Sequence, residues 1–357
     1  MMTVKRLNRF MLLATAPFAG VLFWILLMNT QLLLTASDPK PLLSTTLSMQ
    51  EKADEISVKL EDSEQMALNI SQSMQKTIES YERITATVND LYTTAAAQKD
   101  RPVLIYDQRI TAKLGQRIGV ITSPNIELEL YPVKEKNYSG YAMKVHLKSA
   151  DAMKMVLGKD QFGGSETTLQ AVKRYGAIAG VNAGGFADSD GKRYPLSTTV
   201  LNGEYVSGFF PTYKDLFFVG INKALELVGG KFESREELDK QEPMFGASFV
   251  PILLKNGIQQ EIPSKWLTSP KRAARTVIAN YKHDRLLFVV VEGNDENGRT
   301  GATLPELQNY LSRLGVKDAY NLDGGGSTTL VWNGKVLNTP SDDGNLRPLA
   351  THFLFFK

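Results

Sequence analysis

Between Pro41 and Pro102 the chain contains neither proline nor glycine. No other feature limits its folding as strongly. Without the ring that breaks helices or the residue that most weakens them, a run of mostly good helix formers predicts one long helix. Stepping alternately by four and three from Met49 gives Ala53, Ile56, Leu60, Ser63, Ala67, Ile70, Met74, Thr77, Tyr81, Ile84, Val88 and Leu91, so that eleven of the thirteen positions are apolar. A repeat of 3.5 residues sustained over this length predicts a coiled coil whose seam is buried against another helix. Residues 37–100 are therefore expected to form a helical stalk, and through it a homo-oligomer.

Upstream, Lys5, Arg6 and Arg9 precede an apolar stretch over residues 10–34. That stretch is long enough to span a bilayer and longer than the apolar core of a cleaved signal peptide. The expectation is an uncleaved signal anchor over residues 1–36. The basic residues would keep the amino terminus in the cytoplasm and place the remainder outside a cell membrane, in a bacterial setting.

From Arg101 the texture changes to short apolar runs separated by turn signals. Asn202-Gly203, Asn256-Gly257 and Asn333-Gly334 each sit between strand-like runs and predict two-residue hairpins. Helices are expected near Glu166–Tyr175 and Leu304–Leu314, the second opened by a Thr303/Glu306 capping box and closed by Gly315. The fold class expected is α+β: a mixed, largely antiparallel sheet with packed helices over residues 101–357, preceded by the transmembrane helix and the coiled-coil-like helix.

Each of those two helices leads into an apolar strand ending in a glycine loop. The first ends at Asn182-Ala183-Gly184-Gly185-Phe186 and the second at Asp323-Gly324-Gly325-Gly326-Ser327-Thr328. Glycines in series let backbone N–H groups turn toward an anion, and Asp323 adds a carboxylate at a strand end. The two loops are expected to face one site from neighbouring strands. Lys271–Thr276, with Arg275, precedes an expected strand Val277–Asn280, the strand Leu286–Val291 ends at Glu292, and Asp342 and Arg347 lie in a polar loop before the last strand. An arginine fork suits a phosphate.

The composition narrows the chemistry. The absence of cysteine excludes a thiolate nucleophile and a cysteine zinc site, and with only three scattered histidines a histidine-rich metal centre is not expected. Residues 51–100 hold ten acids and five bases, residues 1–50 carry +3, and the whole chain is +3, which leaves +5 for residues 101–357. That imbalance tolerates an anionic glycan but is too small to argue for nucleic acid. Asn294–Gly298 lacks the ligand alternation of an EF-hand, so no metal ligand is assigned; a divalent cation such as calcium is left open.

Taken in order, Val181–Phe186, Ala274-Arg275-Thr276, Gly301–Leu304, Asn321–Thr328 and Asn338–Asp342 with Arg347-Pro348 resemble the motifs of the phosphodiester glycosidase family. Two departures stand out. The family commonly has Asp-Gly-Arg where this chain has Glu292-Gly293-Asn294, and a bulkier residue than Gly185, whose small size predicts a wider pocket.

The resemblance implies hydrolysis of the sugar–phosphate bond in a glycosyl phosphodiester, such as one of N-acetylglucosamine, in an envelope polymer or exopolysaccharide. It implies Asp323 as the carboxylate at the sugar and Glu292 as a second acid/base. Arg275, with Arg347, would grip the phosphate, helped by the amides of Gly324, Gly325 and Gly326 and by Ser327. Asn182 and Phe186 would contact the sugar, with Gly184, Gly185, Thr328 and Asp342 completing the site. Two other readings stay open: a non-catalytic glycan-binding or exopolysaccharide assembly protein on the same fold, and a metal-dependent phosphodiesterase cutting the other ester bond.

Overall fold

The structure is a computed structural model that describes residues 20, 21, 23, 24, 42–282, 285–293, 301–342 and 344–357. The chain divides into two compact units, Met1–Tyr92 and Thr93–Lys357. From residue 42 the first unit is one continuous helix, α1 (Leu42–Leu114), which ends inside the second. Within the first unit the large apolar residues of the repeat, from Met49 to Leu91, are exposed on the single chain.

The transmembrane part of the expected fold class is corrected. Among the described residues, no helix is long and apolar enough to cross a membrane. α1 has the length, but Glu51, Lys52, Asp54 and Glu55 already place four charges within about two turns, a prohibitive load for hydrocarbon. Of residues 10–34, Gly20, Val21, Phe23 and Trp24 are described, as helical and exposed; the others lie outside the described residues.

In the second unit, α1 continues through Pro102 to Leu114 because its last turns have a tertiary partner. Ile110 and Leu114 enter an apolar cluster. Buried Lys144 donates to Asp107 (2.9 Å), Glu129 (2.7 Å) and Thr111 (2.8 Å), and Tyr281 donates to Asp107 (2.6 Å). Packing of this kind outweighs the hydrogen bond that Pro102 cannot make.

The strands form antiparallel sheets. The largest runs, in order, β1 (Gly119–Thr122), β2 (Ile126–Lys134), β3 (Ser139–Leu147), β16 (Arg285–Val291), β15 (Arg275–Lys282), β17 (Asp318–Leu322), β13 (Ile252–Lys255) and β14 (Ile258–Gln259). A second sheet holds β11 (Leu227–Gly230), β10 (Phe217–Asn222), β12 (Pro243–Phe249), β8 (Val200–Leu201) and β9 (Glu204–Tyr205). A third holds β19 (Lys335–Val336), β18 (Leu330–Trp332), β5 (Ala179–Asn182), β20 (Thr351–Phe355) and β4 (Met153–Leu157), and β6 (Phe186–Ser189) pairs with β7 (Lys192–Pro195). The three Asn-Gly pairs turn the β8–β9, β13–β14 and β18–β19 hairpins with both residues at positive φ, as that turn requires.

Helices α2 (Thr168–Tyr175), α3 (Arg235–Asp239), α4 (Ser264–Thr268) and α5 (Leu304–Leu314) complete the unit. Both α2 and α5 carry a capping box and end on a left-handed glycine, Gly176 and Gly315. β16 explains the apolar run Leu286–Val291. Leu286, Phe288 and Val290 pack with Phe353 and Phe355 of β20, while Leu287, Val289 and Val291 pack with Leu307 and Leu311 of α5. A strand covered on both faces needs no polar alternation.

Candidate active site

The two glycine loops meet, although β5 and β17 belong to different sheets rather than being neighbours in one. Asn182 makes the join. Its amide donates to the Asp323 carbonyl (2.6 Å) and accepts from Thr276 Oγ1 (2.8 Å) and the Thr329 N–H (3.0 Å), while the Asp323 N–H donates to the Ala183 carbonyl (3.3 Å). Asn182 is fully buried, so it ties the loops together beneath the site rather than facing its opening.

Asp323 therefore sits where two sheets and two loops converge. Its Oδ1 accepts from the Gly324 N–H (3.0 Å), whereas Oδ2 is buried and has no hydrogen-bond partner among the described residues. Burial pushes this carboxyl up to about 6, against the opposing pull of the Ser327 hydroxyl, the Gly324 N–H and the charges of Arg347 and Arg193. A half-buried acid with one oxygen shut off from solvent and the charges of two guanidinium groups acting on it is a candidate for a reacting group near neutral pH.

The glycine loop is not a free cradle. The Gly324 N–H is taken by Asp323, and the Gly325 N–H donates to the Ala274 carbonyl (2.8 Å). Gly326 serves close approach: a Cβ there would lie 1.9 Å from Oδ2 of Asp342. Arg347 in turn donates to Asp342 Oδ2 through Nε (3.1 Å) and Nη2 (2.6 Å), and reaches the Ser327 hydroxyl at 3.4 Å. Ser327 and Thr328 are themselves buried. The structure thus brings Asp323, Ser327, Asp342 and Arg347 together.

Arg275 points elsewhere. Its guanidinium donates to the carbonyls of Pro270 (2.9 Å) and Ala302 (3.4 Å), on the opposite face of β15 from Thr276, and burial lowers it to about 10. Among the described residues it has no carboxylate partner. Glu292 lies past the end of β16, where its Oε2 accepts from the Thr339 N–H, while the Gly293 N–H donates to the Thr339 carbonyl (2.6 Å). It reaches the site through the 339–342 loop, whose Ser341 N–H donates to the Gly325 carbonyl (3.2 Å). Asn294 and the acidic stretch after it lie outside the described residues. Among the described residues, no group of three or more His, Asp or Glu is placed to hold a metal ion.

The space beside Gly185 is filled rather than open, since a Cβ there would lie 2.6 Å from the Phe249 ring and 3.0 Å from Leu196. One residue at the site went unnoticed in the sequence. Arg193 stacks over the Phe186 ring (4.0 Å), donates to both oxygens of Asp188 (2.7 and 2.9 Å) and to the Pro348 carbonyl, and feels the Asp323 charge. The Asp190-Gly191 turn was the available signal, because a two-residue hairpin there sets Asp188 opposite Arg193.

The family model for phosphodiester glycosidase matches residues 175–356. The chain is 30% identical over 190 residues to the N-acetylglucosamine-1-phosphodiester alpha-N-acetylglucosaminidase of Bos taurus, covering 49% of this chain and 35% of that protein. It is 32% identical over 137 residues to the Homo sapiens enzyme of the same name, covering 34% of this chain and 26% of that protein. It therefore spans about a third or less of the length of these curated relatives. The catalytic domain of the zebrafish enzyme has the same fold, with a TM-score of 0.52 and 22% identity over 66% of this chain and 85% of that one.

Proposed function

The chain belongs to the phosphodiester glycosidase family, and from that premise we propose that it hydrolyses the bond between an anomeric carbon and a phosphate oxygen in a glycosyl phosphodiester. The observation that carries the reading is Asp323, a half-buried residue just past a strand end, with one carboxylate oxygen buried and unsatisfied among the described residues and with Arg193 and Arg347 close enough to act on its charge.

The chemistry follows from the leaving group. When the carbon–oxygen bond breaks, its electron pair goes to the phosphate, which departs as a monoester and needs little protonation. What remains is to supply an electron-rich oxygen at the anomeric carbon and to hold the departing charge. Asp323 fills the first role as base or nucleophile, taking up a proton from water or the anomeric bond itself. Arg193 and Arg347 fill the second. Among the described residues each has three of its five N–H donors engaged, which leaves two to turn toward phosphate oxygens.

The substrate proposed is an N-acetylglucosamine-type phosphodiester carried on an envelope polymer or exopolysaccharide, in keeping with the names of the relatives and the surplus of base in residues 101–357. The test is to incubate the protein with a synthetic methyl phosphodiester of N-acetylglucosamine and identify the products. Free sugar with methyl phosphate supports the proposal. A sugar phosphate with methanol, or no product, contradicts it.

A further inference from the structure

The ribbon that carries Arg193 belongs to none of the three larger sheets, since β6 and β7 form a two-stranded sheet of their own. Such a ribbon is marginal by itself, and an arginine side chain has many rotamers to lose. Contacts other than sheet pairing must therefore fix where this guanidinium lies.

The register brings them together. Phe186 is opposite Pro195 and Asp188 opposite Arg193, so Phe186, Asp188 and Arg193 project from one face of the ribbon, with Phe186 diagonal to Arg193. The guanidinium carbon lies 4.0 Å from the centre of the Phe186 ring. Nε and Nη2 donate to Oδ1 and Oδ2 of Asp188 (2.7 and 2.9 Å), and Nη1 donates to the Pro348 carbonyl. The backbone N–H of Arg193 donates to the Gly163 carbonyl (3.1 Å), which ties the ribbon down beneath the side chain.

These contacts divide the work. Stacking on a ring sets the plane of a guanidinium and uses none of its donors, because all five lie in that plane. A carboxylate that occupies one edge then sets the rotation within the plane. Among the described residues, one N–H on Nη1 and one on Nη2 are left over, and the Asp323 charge acts on the same guanidinium. Order gained during folding need not be gained again when charge develops on a phosphate.

We propose that Phe186 and Asp188 are positioning residues that hold Arg193 in place for the departing phosphate, and that Phe186 does this instead of contacting the sugar. The inference rests on the hydrolase reading and deepens it. One face of the Phe186 ring, which a pyranose would need for stacking, is taken by the guanidinium.

A double-mutant cycle on the methyl phosphodiester of N-acetylglucosamine tests the proposal. Phe186→Leu and Asp188→Asn should each lower kcat/KM by about tenfold. Neither should cause any further loss in an Arg193→Ala background, because with the guanidinium gone there is nothing left to position. Phe186→Tyr, which keeps the ring face, should restore most of what leucine loses. Asp188 is exposed, so its variant should fold whatever the ring adds to packing. A Phe186→Leu loss of the same size in both backgrounds makes the ring a sugar contact and overturns the proposal. Tyrosine no better than leucine, or wild-type kcat/KM in Asp188→Asn or Arg193→Ala, overturns it too. No turnover by the wild type instead overturns the hydrolase reading, and the positioning role with it.

Discussion

Replacing Asp323 by Asn should make the protein more stable and inactive at once. In the folded state burial holds this carboxyl at about 6 instead of the ordinary 3.8. A raised folded value means that the native state keeps a proton which the unfolded chain releases. Stability is therefore lost as pH rises from about 4 to about 6, and the full cost persists above that. A shift of about 2 units at about 1.4 kcal/mol per unit gives about 3 kcal/mol at neutral pH. The amide removes the charge but needs an acceptor near the position of Oδ2, so the net gain is expected at about 1–3 kcal/mol. Urea unfolding at about pH 7.5 should show it, and at about pH 3, where both folded and unfolded Asp323 are protonated, most of the difference should vanish. Turnover of a glycosyl phosphodiester should fall by about 100-fold or more. A variant that is less stable than wild type at neutral pH, or that keeps near-normal turnover, would refute the assignment of Asp323 as a destabilised reacting group.

Further outcomes follow from the same geometry. The acid limb of kcat/KM should lie near pH 6, activity being lost below it as Asp323 takes up its proton. Arg347→Gln should move that limb to higher pH, because the arginine charge lowers the Asp323 value; an unmoved limb would detach it from Asp323. Lys144→Ala should destabilise the protein by about 2 kcal/mol in chemical denaturation, since it takes away the buried cation that Asp107 and Glu129 share and leaves Asp107 with the Tyr281 hydroxyl and Glu129 with Arg117 and Tyr131. In a sedimentation concentration series, residues 37–357 should associate through the exposed apolar repeat and residues 101–357 should not. Monomers in both would count against the seam.

Much of the second unit was legible in the sequence because its signals are local. A capping box, a left-handed glycine or an Asn-Gly turn sets the backbone within a few residues, which is why α2, α5 and the three hairpins lie where their residues place them. The site was legible only in outline. Asp323 lay at a strand end as read, but the role of Asn182 depends on two sheets meeting, and nothing in its neighbours reveals that its amide is buried there. Arg275 illustrates the same limit, since the first residue of a strand can face either side of the sheet and the face is set by register with β16 and β17. The run of α1 through Pro102 has a related cause: a local breaker was overruled by Lys144, which lies on a strand remote in sequence.

The central claim is that the anomeric carbon–oxygen bond is the one broken. Free sugar alone does not establish this, because attack at phosphorus with expulsion of the sugar gives the same two products. Hydrolysis of the methyl phosphodiester of N-acetylglucosamine in water enriched in oxygen-18, with both products read by mass spectrometry, separates the two. The account predicts the label on the anomeric hydroxyl of the sugar and none in methyl phosphate. Label in methyl phosphate would contradict it.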